Sequence, residues 1–239
     1  MSAILITGTS RGIGLEFVRQ YAADGEDVIA CCRDPAKAEK LQVLAGKYKN
    51  IRVEALDVAD AKSVAALAAK LKDAAIDILI NNAGIYSGVL GANAGEEDAS
   101  QSFGSIDAEA WDRVFRTNAI APIMLLQTFM LQLKRGKGLK VVNITSKMGS
   151  ISEMGSDYIA YRTSKAALNA AMVTISHDLK EEGIIIVNLH PGWVKTDMGS
   201  MNAPLEPETS VTGMRNVIAG LSPKQSGQFL SYDGKIIPW

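Results

Sequence analysis

Thr7-Gly8-Thr9-Ser10-Arg11-Gly12-Ile13-Gly14 closes a short apolar run, residues 3–7, and opens a segment in which Leu15, Phe17, Val18 and Tyr21 recur at helical spacing. A turn this tight between strand and helix needs glycine, for backbone angles that other residues resist and for close approach of chain to chain. The first N–H groups of the following helix have no intrahelical partner and carry the positive end of its dipole, so they favour a pyrophosphate. The glycine spacing is G-x-x-x-G-x-G rather than G-x-G-x-x-G, yet its place after an N-terminal strand and before a helix suits a dinucleotide. Gly8, Ser10, Arg11, Gly12, Ile13 and Gly14 are the first candidate cofactor contacts.

The same alternation continues along the chain. Apolar runs at residues 3–7, 27–32, 51–55, 76–80, 139–144, 184–189 and 228–231 are separated by amphipathic segments at 12–23, 35–47, 60–72, 107–134, 157–182 and 207–221. Strands alternating with helices indicate βαβ units around a parallel sheet. The runs are continuously apolar, as strands covered on both faces should be. The expected fold class is α/β: a single doubly wound Rossmann domain over residues 1–239, with a seven-stranded parallel sheet and helices on both faces. Two segments break the rhythm, the small and polar residues 87–105 and the proline-bearing residues 199–207. Both follow strands at the carboxyl edge, where such sheets bind ligands, and are expected to form the substrate rim.

Composition narrows the partners. The 239 residues carry 25 basic and 26 acidic side chains, a net charge of −1, and 47% are hydrophobic. That balance argues against intrinsic disorder and against an electrostatic nucleic-acid binder, and leaves small molecules and other proteins. Cys31 and Cys32 are adjacent, so in a strand they point to opposite faces and cannot staple distant loops, which suits a reducing compartment. The N-terminus lacks the pattern of a signal peptide, and the longest apolar stretch is interrupted by Pro122, Gln127, Thr128 and Gln132. No membrane span is expected, and the expected location is cytoplasmic. His177 and His190 have no zinc-ligand spacing, and no metal is expected.

Which nucleotide binds depends on the end of the second strand. An acid there holds a ribose 2′-hydroxyl, and an arginine accommodates a 2′-phosphate. Arg33 follows Cys31-Cys32, and Arg11 in the glycine turn can reach the same pocket; Asp34 sits where the acid would. Two guanidiniums against one carboxylate favour NADP(H) and leave NAD(H) open.

Tyr161 and Lys165 lie four residues apart in a segment with helical periodicity, on one helix face. A lysine about 4 Å from a phenol, at an effective dielectric near 20, favours the phenolate by roughly 4 kcal/mol. That is enough to bring a tyrosine from near pKa 10 toward the working range of an acid–base group. The fifth apolar run ends in Val142-Asn143-Ile144-Thr145-Ser146, so Ser146 reaches the carboxyl edge, where it can hydrogen-bond a substrate oxygen or the tyrosine. Its place at the strand end singles it out from Ser150 and Ser152.

Taken together, Thr7-Gly8 with Gly12 and Gly14, Asp57-Val58, Asn81-Asn82-Ala83-Gly84, Asn118, Ser146, Tyr161 with Lys165, and Pro191-Gly192 resemble the short-chain dehydrogenase/reductase family over the whole chain. The stretches Tyr161–Asn169, Pro191–Met198 and Tyr232–Trp239 are most similar to the C-factor and sniffer-type carbonyl reductases. The resemblance implies that Tyr161 donates a proton to a carbonyl oxygen as hydride arrives from a nicotinamide, that Ser146 polarises that oxygen, and that Lys165 lowers the tyrosine pKa and holds the nicotinamide ribose. Asn118 would keep a water linking Lys165 to solvent. Asp57 and Val58 would flank the adenine, and Asn82, Ala83 and Gly84 its ribose. Pro191 and Gly192 would shape the turn beside the cofactor, with Val194 and Thr196 on the carboxamide. A homodimer or homotetramer through the helices at 107–134 and 157–182 is also implied.

The expected function is NADPH-dependent reduction of an aldehyde or ketone. The alternative, carried by the same resemblance, is a cofactor-binding signalling or regulatory protein of C-factor type. Tyr86, Phe103, Met154, Trp193, Met198 and Met201 around the rim suit an apolar carbonyl compound.

Overall fold

The structure, a computed structural model, describes residues 2–87 and 101–239. Its strands are β1 (Ser2–Thr7), β2 (Asp27–Cys32), β3 (Ile51–Ala55), β4 (Ala75–Asn81), β5 (Lys140–Ile144), β6 (Ile185–His190) and β7 (Phe229–Ser231). Its α-helices are α1 (Gly12–Ala23), α2 (Glu39–Lys47), α3 (Ala61–Lys70), α4 (Ala108–Phe115), α5 (Ala121–Thr128), α6 (Met130–Arg135), α7 (Ile159–Asp178) and α8 (Pro207–Ala219). The strands lie in one sheet in the order β3-β2-β1-β4-β5-β6-β7, every pairing parallel. The order reverses between β1 and β4, and there a doubly wound sheet opens its crevice.

Alternation along β1 accounts for the layers. Ile4 and Ile6 pack with Phe17 and Val18 of α1, Leu41 of α2, and Val211 and Met214 of α8. Leu5, pointing the other way, packs with Val64 and Leu67 of α3, Leu125 of α5, and Leu168 and Met172 of α7. Both faces of the sheet are thus covered, which is why the strands read as unbroken apolar runs. The two cysteines divide as their adjacency requires: Cys31 joins one cluster and Cys32 the other, both free and buried.

Three expectations about helices need correction: the one at 157–182 is α7, ending at Asp178, followed by a separate 3-10 turn over Lys180–Glu182. The expected helix at 107–134 is broken into α4, a π-helical turn over Arg116–Ile120, α5 and α6. Pro122 sits in the first turn of α5, where its missing N–H costs nothing, and Phe129 leaves helical geometry at φ −94°, ψ 10°. The segment at 35–47 likewise splits into a single 3-10 turn, Pro35–Lys37, and α2. Amphipathic periodicity cannot register a one-residue change in helical winding. Of the expected rim, residues 88–100 lie outside the described residues. None of the helices among the described residues is long and apolar enough to cross a membrane.

Candidate active site

The glycine turn is built by close approach. Gly8 has φ +70°, and a Cβ there would stand 2.8 Å from the Ala83 Cα. At Gly14 a Cβ would lie 2.2 Å from the Gly8 carbonyl oxygen and 2.4 Å from the Asn82 amide nitrogen. Asn82 straps the turn to the end of β4: its Nδ2 donates to the carbonyls of Thr7 and Gly8 at 2.8 and 3.0 Å. The Thr7 hydroxyl accepts from the backbone N–H groups of Asn82 and Ala83 at 3.0 Å each. Asn82, expected at a ribose, therefore has its amide committed to the turn. No side chain caps the N-terminus of α1, so its first N–H groups face the crevice unassisted by protein side chains.

Across the crevice, the segment after β6 closes down on this turn. Thr196 lies where a Gly12 Cβ would be 3.4 Å from its methyl, and the exposed Arg11 and Asp197 pair at 3.4 Å. Gly192, at φ +84°, lets the chain pass Leu205 and Tyr232, while Pro191 accepts from the Ser210 hydroxyl at 2.6 Å and Val194 is buried. A cleft of about 520 Å³ opens on the outer flank of the turn, lined by Arg11, Gly12, Lys40 and Thr196 among others. Asp57 and Val58 follow β3, the Asp57 carboxylate accepting from the Ala59 N–H at 3.0 Å. Arg33 is exposed, and among the described residues it enters no ion pair; Asp34 is paired with Lys37 at 3.1 Å, which holds its carboxyl below the ordinary range.

On the other side of the crevice stand Ser146, Tyr161 and Lys165, each less than a tenth exposed. Ser146 leaves β5 in extended conformation and hydrogen-bonds Tyr161. Ser150 turns away, its hydroxyl donating to the Pro238 carbonyl at 2.7 Å, so Ser146 is the serine that meets the phenol. Lys165 lies with its Nζ 5.8 Å from the centre of the Tyr161 ring and donates to the Ile144 carbonyl at 3.0 Å. Asn118 and Lys165 converge on Gly84, where a Cβ would stand 3.2 Å from the Asn118 Oδ1 and 3.6 Å from the Lys165 Nζ.

A family model for short chain dehydrogenases matches residues 2–206. The chain belongs to the short-chain dehydrogenase family. It is an NAD(P)-dependent oxidoreductase by that membership. The chain is 43% identical over 166 residues to the C-signal of Myxococcus xanthus, a match spanning 69% of this chain and 93% of that protein. It is similar to the NADPH-bound carbonyl reductase from chicken fatty liver, with a TM-score of 0.89, 37% identity and coverage of 100% and 99% of the two chains. The carbonyl reductase Sniffer of D. melanogaster matches with a TM-score of 0.88 and 34% identity over both full chains.

In this short-chain dehydrogenase the lysine does not pull the tyrosine down as their spacing alone would suggest. Burial pushes the Tyr161 phenol up to about 12, with the Ser146 hydrogen bond acting in the opposite sense, and the same burial brings Lys165 down to about 8. Desolvation of both groups outweighs their mutual attraction. Tyr161 is consequently protonated at neutral pH, the state in which it can give a proton.

The Lys165 shift has a stability signature. Between pH 8 and its ordinary value of 10.5 the unfolded chain holds more protons on this side chain than the folded one. Stability therefore rises with pH across that window, and below pH 8 the cost of burying the charge is fully present. Relative to K165M, the wild-type unfolding free energy is expected to grow by on the order of 3 kcal/mol over the window. Urea unfolding of both proteins at a series of pH values measures it; a constant difference would mean that folding leaves the Lys165 pKa unshifted.

The Asn118 side chain is held within the fold. The π-helical turn brings it inward, and its side chain donates to the Ile85 carbonyl at 2.8 Å and the Ser164 hydroxyl at 3.1 Å while accepting from the Ile85 N–H at 2.9 Å. It ties the chain after β4 to α7, and a single-turn widening of this kind is a common way to aim a side chain at a functional site.

Other supporting residues carry little or no signature in the sequence. Asn81, Asn143 and Asn188 sit opposite one another on β4, β5 and β6, all buried, and their amides join at 2.8 and 3.3 Å. The chain of bonds continues from Asn188 to the carbonyl of Asn169 on α7, whose side chain accepts from Thr145 next to Ser146. Each asparagine stands near the end of an apolar run, and Asn81 also opens the Asn81-Asn82-Ala83-Gly84 motif. Gln101 leaves no trace at all: it lies in a polar segment, yet it is 2% exposed and hydrogen-bonded to the backbone of Tyr161.

Proposed function

We propose that this protein uses NADPH to reduce the carbonyl of an aldehyde or ketone to an alcohol, with Tyr161 as the proton donor. The observation that carries the reading is the meeting of a protonated, buried Tyr161 with Ser146 and Lys165 at the carboxyl end of β5, across the crevice from the glycine turn. The similarity to two carbonyl reductases, one of them NADPH-bound, supports it.

The fit of a dinucleotide rests on the cradle itself. Gly8 and Gly14 let the turn close on itself and on the end of β4, where a Cβ would meet protein atoms, beside an α1 N-terminus that no side chain caps, which is the arrangement that receives a pyrophosphate. By the family pattern, Ser10, Ile13, Asp57, Val58, Ala83, Gly84, Pro191, Gly192, Val194 and Thr196 would hold the rest of the molecule. When bound, NADPH supplies the hydride that adds to the carbonyl carbon. Tyr161 gives its hydroxyl proton to the carbonyl oxygen, so that hydride and proton together make the alcohol. Ser146 donates to that oxygen and steadies the charge developing on it. Lys165, cationic below about pH 8, stabilises the phenolate left behind, and Asn118 holds the Ile85 backbone and α7 in register around it.

Arg33 is the cation best placed to select NADPH, because Arg11 is already engaged by Asp197 and Asp34 by Lys37. Replacing Arg33 with Ala is expected to weaken NADPH binding about 10- to 100-fold and NADH binding little, the scale of a lost charge-assisted hydrogen bond. Fluorescence titration with both nucleotides measures it; equal losses would place the 2′-phosphate elsewhere.

A cofactor-binding signalling role is the second reading, favoured by the 43% identity to C-signal. Loss of NADPH absorbance against a panel of aldehydes, ketones and quinones separates the two: tight binding with no turnover on any of them would favour signalling. The first reading puts the enzyme in the cytoplasm, in keeping with two buried, free cysteines, as one catalytic domain associating into a homodimer or homotetramer. Exposed Ile120, Met124 and Leu131 on the α5–α6 side support such association.

A further inference from the structure

We propose that Gln101 is a positioning residue for the proton-donating tyrosine: its buried side-chain amide ties the Tyr86 carbonyl to the Tyr161 backbone N–H and so sets where the phenol stands. The proposal rests on the reading of Tyr161 as the proton donor. The Gln101 Nε2 donates to the Tyr86 carbonyl at 3.1 Å, and its Oε1 accepts from the Tyr161 N–H at 3.0 Å. Tyr161 is the third residue of α7, so its N–H has no acceptor within the helix and would ordinarily be met by a side chain at the cap. Here the cap position is Tyr158, left-handed at φ 54° after an equally left-handed Asp157 at φ 59°, and its side chain makes no capping bond. Non-glycine residues hold such angles only where surrounding contacts enforce them. Gln101, sixty positions away in sequence, supplies the missing cap.

The same amide controls the wall beside the phenol. The Tyr86 ring packs at 5.0 Å from that of Tyr161 and 5.2 Å from that of Tyr158. Fixing the Tyr86 backbone and the start of α7 with one side chain therefore fixes two rings against each other. The chemistry demanded is specific: one donor facing a carbonyl and one acceptor facing an N–H. An amide meets both demands, a protonated carboxyl also meets both, and a carboxylate sets an oxygen against the Tyr86 carbonyl.

Q101M and Q101E test this. With 3-fluorotyrosine incorporated, the fluorine resonances of Tyr86 and Tyr161, assigned through Y86F and Y161F, are expected to shift together in Q101M while those of Tyr48 and Tyr232 stay in place. Carbonyl turnover by Q101M is expected to fall about tenfold in kcat, with NADPH affinity within about twofold of wild type, the scale of a displaced acid. For Q101E, the ratio of its kcat to that of wild type is expected to rise several-fold as pH falls from about 8 to about 5.5, because the introduced carboxyl reproduces the amide only when protonated. Unmoved Tyr161 resonances in Q101M, or a flat Q101E ratio, would overturn the proposal. Should Q101M fail to fold, Q101E at low pH keeps both bonds and carries the test alone. Shifted resonances in a protein that turns over no carbonyl would sink the proposed function and leave the positioning role standing; normal turnover with unmoved resonances would do the reverse.

Discussion

Replacing Tyr161 with Phe is expected to lower kcat for carbonyl reduction by about 10²- to 10⁴-fold, the usual contribution of a positioned acid. The change removes one oxygen from a side chain only 8% exposed, whose ring keeps its contact with Tyr86. Ser146 loses a partner, a cost of about 1 kcal/mol in stability, which leaves the fold and the glycine turn intact. NADPH binding, read by fluorescence titration, is therefore expected to stay within about twofold of wild type. Steady-state kinetics alongside that titration measures both effects: turnover within tenfold of wild type would mean that the proton comes from elsewhere. Because the phenol is protonated up to about pH 12, the wild-type reduction should lose no activity to Tyr161 ionisation through the neutral range.

Gly14→Ala is expected to abolish measurable dinucleotide binding and to destabilise the protein by about 1–3 kcal/mol, the range for a forced overpacking. The added methyl meets the Gly8 carbonyl oxygen at 2.2 Å and the Asn82 amide at 2.4 Å. Neither neighbour can yield, since the first is backbone and the second is held by bonds to Thr7 and Gly8. The turn or the start of α1 must move, and with it the cradle. Gly46 is the internal control. It lies in α2 with nothing within 4 Å of its added Cβ, so Gly46→Ala should leave binding unchanged and gain up to about 1 kcal/mol from helix propensity. Thermal melts and NADPH titration of the two variants side by side check the pair; a G14A protein that binds like wild type would remove the turn from the cofactor site.

The elements were legible because each one buries a periodic face. β2 and β3 begin and end where their apolar runs do, and α1 covers the expected residues. Ser146, Tyr161 and Lys165 were legible because their chemistry is local: a strand end and two positions on one helix face. The expected helix at 107–134 failed as a single element because a π-helical turn inserts one extra residue without disturbing hydrophobic periodicity, and that turn is what carries Asn118 inward.

Electrostatics shows the same division. Spacing alone put Lys165 beside Tyr161 and argued for a lowered phenol pKa. Burial, which no pattern of four residues can express, reversed the direction for the phenol and lowered the lysine instead. By itself, then, the sequence determined the parallel α/β architecture and the glycine turn, since these follow from hydrophobic period and local backbone need, and it supplied the residue types of the proposed reacting centre. Tertiary structure alone decided that Asn82 straps the turn, that three asparagines link strand ends beneath Ser146, and that Gln101 caps the helix bearing Tyr161. Those bonds join residues far apart in the chain, and only the folded sheet brings their donors and acceptors within reach.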